Sequence, residues 1–346
     1  MQAVKNTIAE NLGGFSHSLA KPEYQFDLEK DVPDQTGKVA VITGGSEGVG
    51  YGCTHTLLAH GAAKVFIISL KKEVFEKAKS DVSSTISPEA AGKMTWFQCD
   101  MGDWHKVAEV AGQIAEQTDR VDILINDAAR GIMTYQLTEY GMDRHMAVNH
   151  MGHTILTSHL EPLMKSTAKN GHTVRIVNVG SNAHEFTPKD TKFASLDELN
   201  RDLGPNPQYG RAKLATMLHT KWLTKHLNSE YPNILANCVH PGVVESTMST
   251  QDIYEPYPIA GAAMAIGLKP FKKDFWMGCV SSMYAATKTE KSGEYICPPA
   301  IPEPGSELFQ DKDGSLAENL MRLTKEIVAS KTKTESVDKG CPMKMA

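Results

Sequence analysis

Short apolar runs recur along the chain, and longer segments of mixed polarity separate them. The runs are at 38–43, 64–69, 94–99, 121–126, 173–180 and 234–240. They are nearly continuous in apolar content rather than alternating, which is typical of strands covered on both faces of a parallel sheet. Segments with a helical pattern lie between them, at 49–60, 73–81, 103–118, 138–163 and 207–227. This alternation predicts a single-domain α/β fold with a doubly wound, mostly parallel sheet and helices on both faces.

The two ends of the chain are more polar than this central region. We predict an N-terminal extension over 1–36, a domain over 37–330 and a polar, disordered tail over 331–346. The extension has no continuous apolar segment of the kind that a secretory signal needs. The most apolar candidate for a membrane segment, at 259–268, is about half of the ~20 residues that a crossing requires. Whether the extension packs on the domain is left open by its sequence.

Composition narrows the class of function. The 346 residues are 41% hydrophobic and 22% charged, with a net charge of −5, so no broad basic surface for nucleic acid is expected. The six cysteines are scattered and form no CxxC pair, which argues against a zinc site, any other metal centre and a disulfide framework. A reduced, cytoplasmic location fits this cysteine usage best.

A glycine-rich turn follows the first apolar run. The stretch from Thr43 to Gly50 reads T-G-x-x-x-G-x-G and leads into a helical segment. Glycine allows the tight turn and lets backbone N–H groups approach a phosphate, while the helix directs its positive end to the same place. This spacing resembles that of the short-chain dehydrogenase/reductase family, which implies a Rossmann-type fold and a nicotinamide dinucleotide. The resemblance covers roughly residues 37–323. It is closest to the retinol-dehydrogenase-like branch, whose sequence pattern is similar to the segments "YGRAKLATMLHTKWLTKHL" and "HPGVVES".

The end of the second strand should lie beside the adenosine ribose, where an acid favours NAD and a basic group favours NADP. This chain offers Ser69, Leu70 and Lys71 there, with no acid, so NADP(H) is favoured over NAD(H). Glu47 in the glycine-rich turn is evidence in the opposite direction, because many NADP-dependent relatives carry a basic residue there. The two lysines that follow the strand could equally be solvated residues at a helix start.

Further positions of the cofactor site follow from the resemblance. It implies that Asp100 contacts the adenine amino group and that Met101 helps with its backbone amide. The sequence N-D-A-A at 126–129 resembles the family's N-N-A-G, with Asp127 and Ala129 as departures that we expect to affect local packing more than chemistry. The complete set of expected cofactor residues is Gly44, Ser46, Glu47, Gly48, Val49, Ser69, Leu70, Lys71, Asp100, Met101, Asn126, Ala128, Tyr209, Lys213, Pro241, Gly242, Val244 and Thr247.

Tyr209 and Lys213 are four residues apart in a helical segment and so share one helix face. A lysine ammonium one turn away stabilises a tyrosinate, which brings the phenol pKa down from ~10 towards the working range. In the family the matching pair is catalytic. The resemblance also implies that Ser181 polarises the substrate carbonyl and that Asn149, at a helix irregularity, holds a water that relays protons to the lysine. The family's motif ordinarily carries two serines, and Gly180 replaces the first of them. We expect His240 to be structural rather than a base.

Two segments are expected to cover the substrate. The insert at 182–208 is polar with interspersed phenylalanines, and the segment at 245–271 is rich in proline, methionine and tyrosine. They predict an apolar pocket for a medium-sized or bulky aldehyde, ketone or alcohol, although 257–268 could instead form a small buried helix. The sequence therefore predicts an NAD(P)-dependent carbonyl–alcohol oxidoreductase, with a homodimer through the long helices as a hypothesis. A nucleotide-sensing protein without turnover and a non-redox use of the Ser/Tyr pair are the alternatives.

Overall fold

A single eight-stranded sheet forms the centre of the computed structural model, which describes residues 14–242 and 273–339 together with residues 8 and 244. The strand order is β3-β2-β1-β4-β5-β6-β7-β8. All neighbours pair in parallel except β7 and β8, which are antiparallel. The strands are β1 Val39–Thr43, β2 Lys64–Ser69, β3 Met94–Gln98, β4 Ile123–Asn126, β5 Val174–Val179, β6 Ile234–Val239, β7 Tyr295–Cys297 and β8 Ile301–Glu303. The doubly wound sheet predicted from the apolar runs is confirmed.

Helices cover both faces of this sheet, as predicted. The helices are α1 Gly48–Ala59, α2 Lys72–Thr85, α3 Pro88–Gly92, α4 Trp104–Ala115, α5 Arg144–Met146, α6 His153–Lys169, α7 Leu196–Leu199, α8 Pro205–Leu227, α9 Phe275–Thr287, α10 Glu307–Gln310 and α11 Ser315–Lys339. Alternate residues of each strand point to opposite cores, as the strand period of two requires. In β1, Val41 belongs to the core under α4, α6, α8 and α11, whereas Ile42 belongs to the core under α1, α2 and α9.

The chain reverses its winding direction between β1 and β4. Strand β1 is flanked by β2 on one side and by β4 on the other, so that Thr43 lies beside Asn126 in the register. In open α/β sheets a ligand crevice forms at this switch point, outside the carboxyl ends of the strands. The turns that leave β1, β4, β5 and β6 therefore meet at one edge, and these turns carry most of the predicted site residues.

Five elements differ from the sequence-based predictions. The helix predicted over 138–163 begins at Arg144, because Asp143 caps it by accepting a hydrogen bond from the backbone N–H of Met146 at 3.1 Å. Helix α11 continues to Lys339, so the first part of the tail predicted to be disordered is helical, with Thr332 buried. Helices α9 and α11 and strands β7 and β8 were not identified from the sequence.

The two ends of the chain bear on two predictions, the packing of the N-terminal extension and the homodimer. Ala20, Phe26 and Val32 are buried in the two cores, so this part of the N-terminal extension packs on the domain. Helix α11 packs along α8, and Thr324 of α11 bonds His150 at 2.9 Å. A homodimer through this face of the long helices would have to displace α11. Among the described residues, no helix has both the length and the apolar composition of a bilayer crossing.

Candidate active site

A cleft of about 820 Å³ opens at the switch point, beyond the carboxyl ends of the strands. The predicted residues that line it are Gly44, Ser46, Glu47, Gly48, Val49, Ser69, Leu70, Lys71, Asp100, Met101, Ala128, Ser181, Tyr209, Lys213, Pro241, Gly242 and Val244. Asn126 and Asn149 are buried behind the wall of the cleft. Thr247 and the segment at 245–271 lie outside the described residues. The structure thus brings nearly the whole predicted set into one cavity.

The glycine-rich turn provides a place for a diphosphate on one side of this cleft. Gly44 and Gly48 have positive φ angles of 69° and 57°, which side-chain-bearing residues adopt at a cost. A Cβ on Gly48 would meet no atom within 4 Å, so its bare backbone faces open space. At Gly50 a Cβ would come within 2.4 Å of the Gly44 carbonyl oxygen, so glycine is required there for the turn to close. With the N-terminus of α1 beside it, the turn fits an anionic dinucleotide.

Ser69 lies at the end of β2, where the ribose position was predicted. Its Oγ accepts hydrogen bonds from Ser46 Oγ and from Trp96 Nε1, both at 2.9 Å. These two donors use both lone pairs of the hydroxyl oxygen, so Ser69 can offer a ligand its proton. Sequence reasoning missed Trp96, because a tryptophan within an apolar strand carries no polar signature.

The N-D-A-A turn after β4 is tied to β1 by a threonine. Thr43 Oγ1 accepts the backbone N–H groups of Asp127 and Ala128 at 2.9 and 3.0 Å. Its own proton is therefore donated to His153 Nε2 at 2.9 Å, and His153 donates from Nδ1 to the Asn149 carbonyl oxygen at 3.1 Å. Burial lowers the pKa of His153 to about 4, so the ring stays neutral in this arrangement. His153 was not singled out in the sequence.

Asn149 lies in a π-helical turn, Ala147–Gly152, between α5 and α6. The irregularity expected at this position is therefore confirmed. Its side chain clamps the backbone of Arg130, accepting from the N–H at 2.8 Å and donating to the carbonyl oxygen at 3.0 Å. The Asn149 carbonyl oxygen also faces Thr216 Oγ1 at 2.8 Å. The water relay through Asn149 stays a prediction. A water bound to the Asn149 carbonyl oxygen would compete with the Thr216 hydroxyl for that oxygen.

Tyr209 and Lys213 lie on one face of α8 and line the cleft together. The Lys213 Nζ is 5.7 Å from the centre of the Tyr209 ring and donates a hydrogen bond to the Val179 carbonyl oxygen at 2.8 Å. Burial lowers the pKa of Lys213 to about 8, and the nearby Asp127 carboxyl works against this shift. Lys213 is therefore a cation at neutral pH, although its surroundings favour the uncharged amine.

Ser181 follows β5 and caps a short 3₁₀ helix, Asn182–Phe186. Its Oγ accepts the N–H of Ala183 at 3.1 Å and donates its proton to Asn182 Oδ1 at 3.4 Å, a long hydrogen bond that a substrate carbonyl in the cleft can replace. His184 supports the same residue from behind. Its Nδ1 lies 2.7 Å from the Ser181 carbonyl oxygen, and its Nε2 accepts the N–H of Ser306 at 3.0 Å, which fixes the proton on Nδ1. Sequence reasoning passed over His184, although it lies only three residues after the predicted serine.

Two glycines allow these elements to approach each other. A Cβ at Gly180, where the family usually has serine, would lie 2.7 Å from Cys238 Sγ and 2.9 Å from Met217 Cγ. A Cβ at Gly210 would lie 2.5 Å from the Ala183 carbonyl oxygen. The departure at Gly180 is therefore matched by large neighbouring side chains, and Gly210 lets the 3₁₀ helix after Ser181 rest on α8.

The insert at 182–208 is partly a packed structure. Arg211 of α8 is buried and donates hydrogen bonds to the carbonyl oxygens of Glu198 and Leu199, which fasten α7 to α8. Phe193 is fully buried in the core, whereas Phe186 is 58% exposed and lines the cleft. Only the first part of the predicted flap, around Phe186, therefore faces a substrate.

His240 also lines the cleft, after β6. Burial, followed by the charge of Lys273, lowers its pKa to about 3, so the ring is neutral. Within the described part of the chain neither ring nitrogen of His240 has a hydrogen-bond partner. A ring with so low a pKa accepts a proton poorly near neutral pH, which agrees with the expectation that His240 is not a base.

Comparisons with known proteins agree with this geometry. A family model described as short chain dehydrogenase matches residues 38–191. The oxidoreductase bli-4 of Neurospora crassa, named as mitochondrial, is 48% identical over 99% of this chain and 83% of its own length. A short-chain dehydrogenase/reductase of Armillaria gallica is 32% identical over 87% of this chain and 95% of its own. The solved structure of Pseudomonas aeruginosa RhlG in an NADP active-site complex has a TM-score of 0.56 at 22% identity, over 76% of this chain and 95% of that one.

The solved structure supports the fold alone at this level of identity. The two relatives extend over nearly the whole chain and carry the family assignment. The protein belongs to the short-chain dehydrogenase/reductase family and is an oxidoreductase of that family.

Proposed function

We propose that this enzyme interconverts a carbonyl and an alcohol on an apolar substrate, with NADP(H) as the preferred dinucleotide. The observation that carries the proposal is the meeting of Ser181, Tyr209 and Lys213 with the glycine-rich turn in one cleft. A nucleotide sensor without turnover would have no need of a serine hydrogen-bond donor and a tyrosine–lysine pair at the same wall. The intact glycine-rich turn also argues against a non-redox reaction that dispenses with the nucleotide.

Each side chain has one task in the reductive direction. Ser181 donates a hydrogen bond to the substrate carbonyl oxygen, keeps its proton and stabilises the charge that develops there. Tyr209 donates the phenol proton to the same oxygen, and the Lys213 ammonium stabilises the tyrosinate that remains. The dinucleotide supplies the hydride from its nicotinamide ring. In the oxidative direction the tyrosinate accepts the proton of the alcohol.

The preference for NADP(H) is argued from the end of β2. Ser69 can act there as a hydrogen-bond donor, and Lys71 lines the same part of the cleft. A donor and a cation suit the oxygens of a 2′-phosphate, whereas a ribose hydroxyl pair would be better held by a carboxylate. Glu47 lies in the glycine-rich turn, and its negative charge opposes the 2′-phosphate.

The substrate class is argued from the other half of the cleft. Ile132, Ala183 and Phe186 line it, and they present apolar surface beside Tyr209. Such a lining favours a medium-sized or bulky apolar aldehyde, ketone or alcohol over a charged metabolite. The cytoplasmic location and a homodimer stay predictions from the sequence, and subcellular fractionation and light scattering test them.

Nucleotide binding followed by a carbonyl panel tests this proposal. NADPH and NADH are titrated against the protein, and oxidation of the reduced nicotinamide is then followed by absorbance with a series of apolar aldehydes and ketones. We expect tighter binding of NADPH and turnover of at least one bulky apolar carbonyl. Binding without turnover would favour the nucleotide sensor, and binding of neither nucleotide would contradict the proposal.

A further inference from the structure

A carboxyl group lies directly under the glycine-rich turn. Asp127 occupies the second position of N-D-A-A, where the family's pattern has asparagine. Its Oδ2 is 3.2 Å from the position that a Cβ on Gly44 would take and 2.8 Å from that on Gly50. The backbone N–H of Gly50 donates a hydrogen bond to the carboxyl group, which also lines the cleft. The place built for an anionic diphosphate thus has an ionisable acid in its floor.

The groups around this carboxyl come from three elements. Lys213 faces it from α8, Glu47 from the glycine-rich turn and the Cys53 thiol from α1. Burial raises the pKa of Asp127 to about 7, with a smaller rise from Glu47, while Lys213 and the Gly50 N–H act in the opposite direction. The pKa of the Cys53 thiol is itself raised, so Cys53 contributes no charge near neutrality. Asp127 therefore changes its charge within the ordinary working range.

We propose that Asp127 makes dinucleotide binding proton-dependent, because the chain holds the cofactor's diphosphate tightly only while this carboxyl is protonated. The inference rests on the proposed function, since it concerns the nucleotide of that reaction. Two anions close together at a half-buried site repel each other. The expectation that the change from asparagine affects local packing more than chemistry is thereby revised. An asparagine side-chain oxygen could accept the same hydrogen bond from Gly50 N–H without the charge.

The sign of the effect follows from linkage. A bound anion favours the protonated carboxyl, so binding takes up a proton at neutral pH and affinity falls as the pH rises. If only the protonated form is competent and half of the molecules are protonated near pH 7, about one in ten is competent at pH 8. The dissociation constant should therefore rise about tenfold between pH 6 and pH 8.

The variant Asp127→Asn isolates this effect. Dissociation constants of NADPH and NADH are measured by fluorescence from pH 6 to pH 8.5 for the wild type and the variant. NADH is included because it lacks the 2′-phosphate, which titrates in the same range. We expect the tenfold rise with both nucleotides in the wild type and a much smaller rise in Asp127→Asn, where Lys213, with a pKa of about 8, still titrates. Asp100→Asn is the matched control, because the Asp100 carboxylate also lines the cleft but pairs with Arg144. Asp100 is an expected adenine contact, so the control variant should keep the wild-type slope with pH whatever its absolute affinity.

Calorimetry on the wild-type protein gives a second test that needs no variant. Titrations with NADH at pH 7 in buffers of different ionisation enthalpy report the protons taken up without a contribution from a 2′-phosphate, and we expect an uptake of about half a proton per NADH bound. No uptake, or the same pH profile in wild type and Asp127→Asn, would overturn this inference and leave the proposed function standing. Failure of both nucleotides to bind at every pH would instead remove the proposed function itself.

Discussion

We predict that Lys213, the lysine of the catalytic pair, lowers the free energy of unfolding of the protein. Lys213 is buried, and its pKa is lowered from 10.5 to about 8, chiefly by burial. A difference of this size between folded and unfolded states corresponds to a cost on the order of 3 kcal/mol at neutral pH. The change Lys213→Met removes the charge and keeps a long apolar side chain. It also deprives the Val179 carbonyl oxygen of a donor, which costs about 1–2 kcal/mol.

The net expectation is that Lys213→Met unfolds with a free energy about 1–2 kcal/mol larger than the wild type at pH 7 while activity is lost. The pH dependence of this difference in unfolding free energy shows whether the burial of the Lys213 charge causes it. The folded-state pKa of Lys213 lies below its unfolded value, so the unfolded state binds more protons between pH 8 and pH 10.5. The wild type therefore gains stability from this group as the pH rises through that window. The difference in unfolding free energy that favours the variant should therefore shrink as the pH rises and then change sign.

Urea unfolding of both proteins at pH 7, 8.5 and 10 measures this difference. The comparison is cleanest in the Asp127→Asn background, where the neighbouring carboxyl no longer titrates. Lys225→Met serves as the control, because Lys225 is on the same helix but its side chain is 61% exposed and pairs with Glu318. That change should cost no more than about 1 kcal/mol. A stability difference for Lys213→Met that is constant from pH 7 to pH 10 would refute the burial argument.

Two further predictions concern the neighbourhood of the catalytic serine. His184→Leu should lower kcat by about 10–100-fold with a smaller effect on KM, because Ser181 loses the donor that fixes its backbone. His184→Asn, which can restore that donor, should recover part of the loss, and equal kcat values for the two variants would contradict a positioning role. Gly180→Ser should lower the free energy of unfolding by about 1–3 kcal/mol, because the new Cβ would overlap Cys238 and Met217. Thermal unfolding measures this change, and an unchanged midpoint would show that both side chains yield freely.

Local patterns in the sequence were enough to predict the sheet and the main site residues. Apolar runs identified six strands, and the glycine-rich turn, Ser181 and the Tyr209–Lys213 pair each have a signature that lies within a few neighbouring residues. These features could be assembled because parallel strands place their carboxyl ends at one edge. The topology of the sheet therefore brings these residues into one cleft.

The supporting residues could not be predicted in the same way. Trp96, His153 and His184 act through hydrogen bonds to residues 27, 110 and 122 positions away, and no local pattern encodes such partners. Strands β7 and β8 have only three residues each and contain or adjoin prolines, so they lack the apolar run of a central strand. Helix α11 is a different case, because its buried residues recur at helical spacing and the sequence therefore contained its signal; these residues are Ala317, Leu320, Met321, Thr324, Ile327 and Val328.

The central claim is that Tyr209 moves the proton that accompanies hydride transfer. Its most direct test is the rate of nicotinamide oxidation by Tyr209→Phe in a single turnover with saturating NADPH and a carbonyl that the wild type reduces. Tyr231→Phe is the control, because Tyr231 is buried to a similar degree (6% exposed against 8%) and does not line the cleft. We predict a rate about 10²–10⁴-fold lower for Tyr209→Phe with a much smaller change in NADPH affinity, and a normal rate for the control. A Tyr209→Phe enzyme that turns over at nearly the wild-type rate would contradict the account.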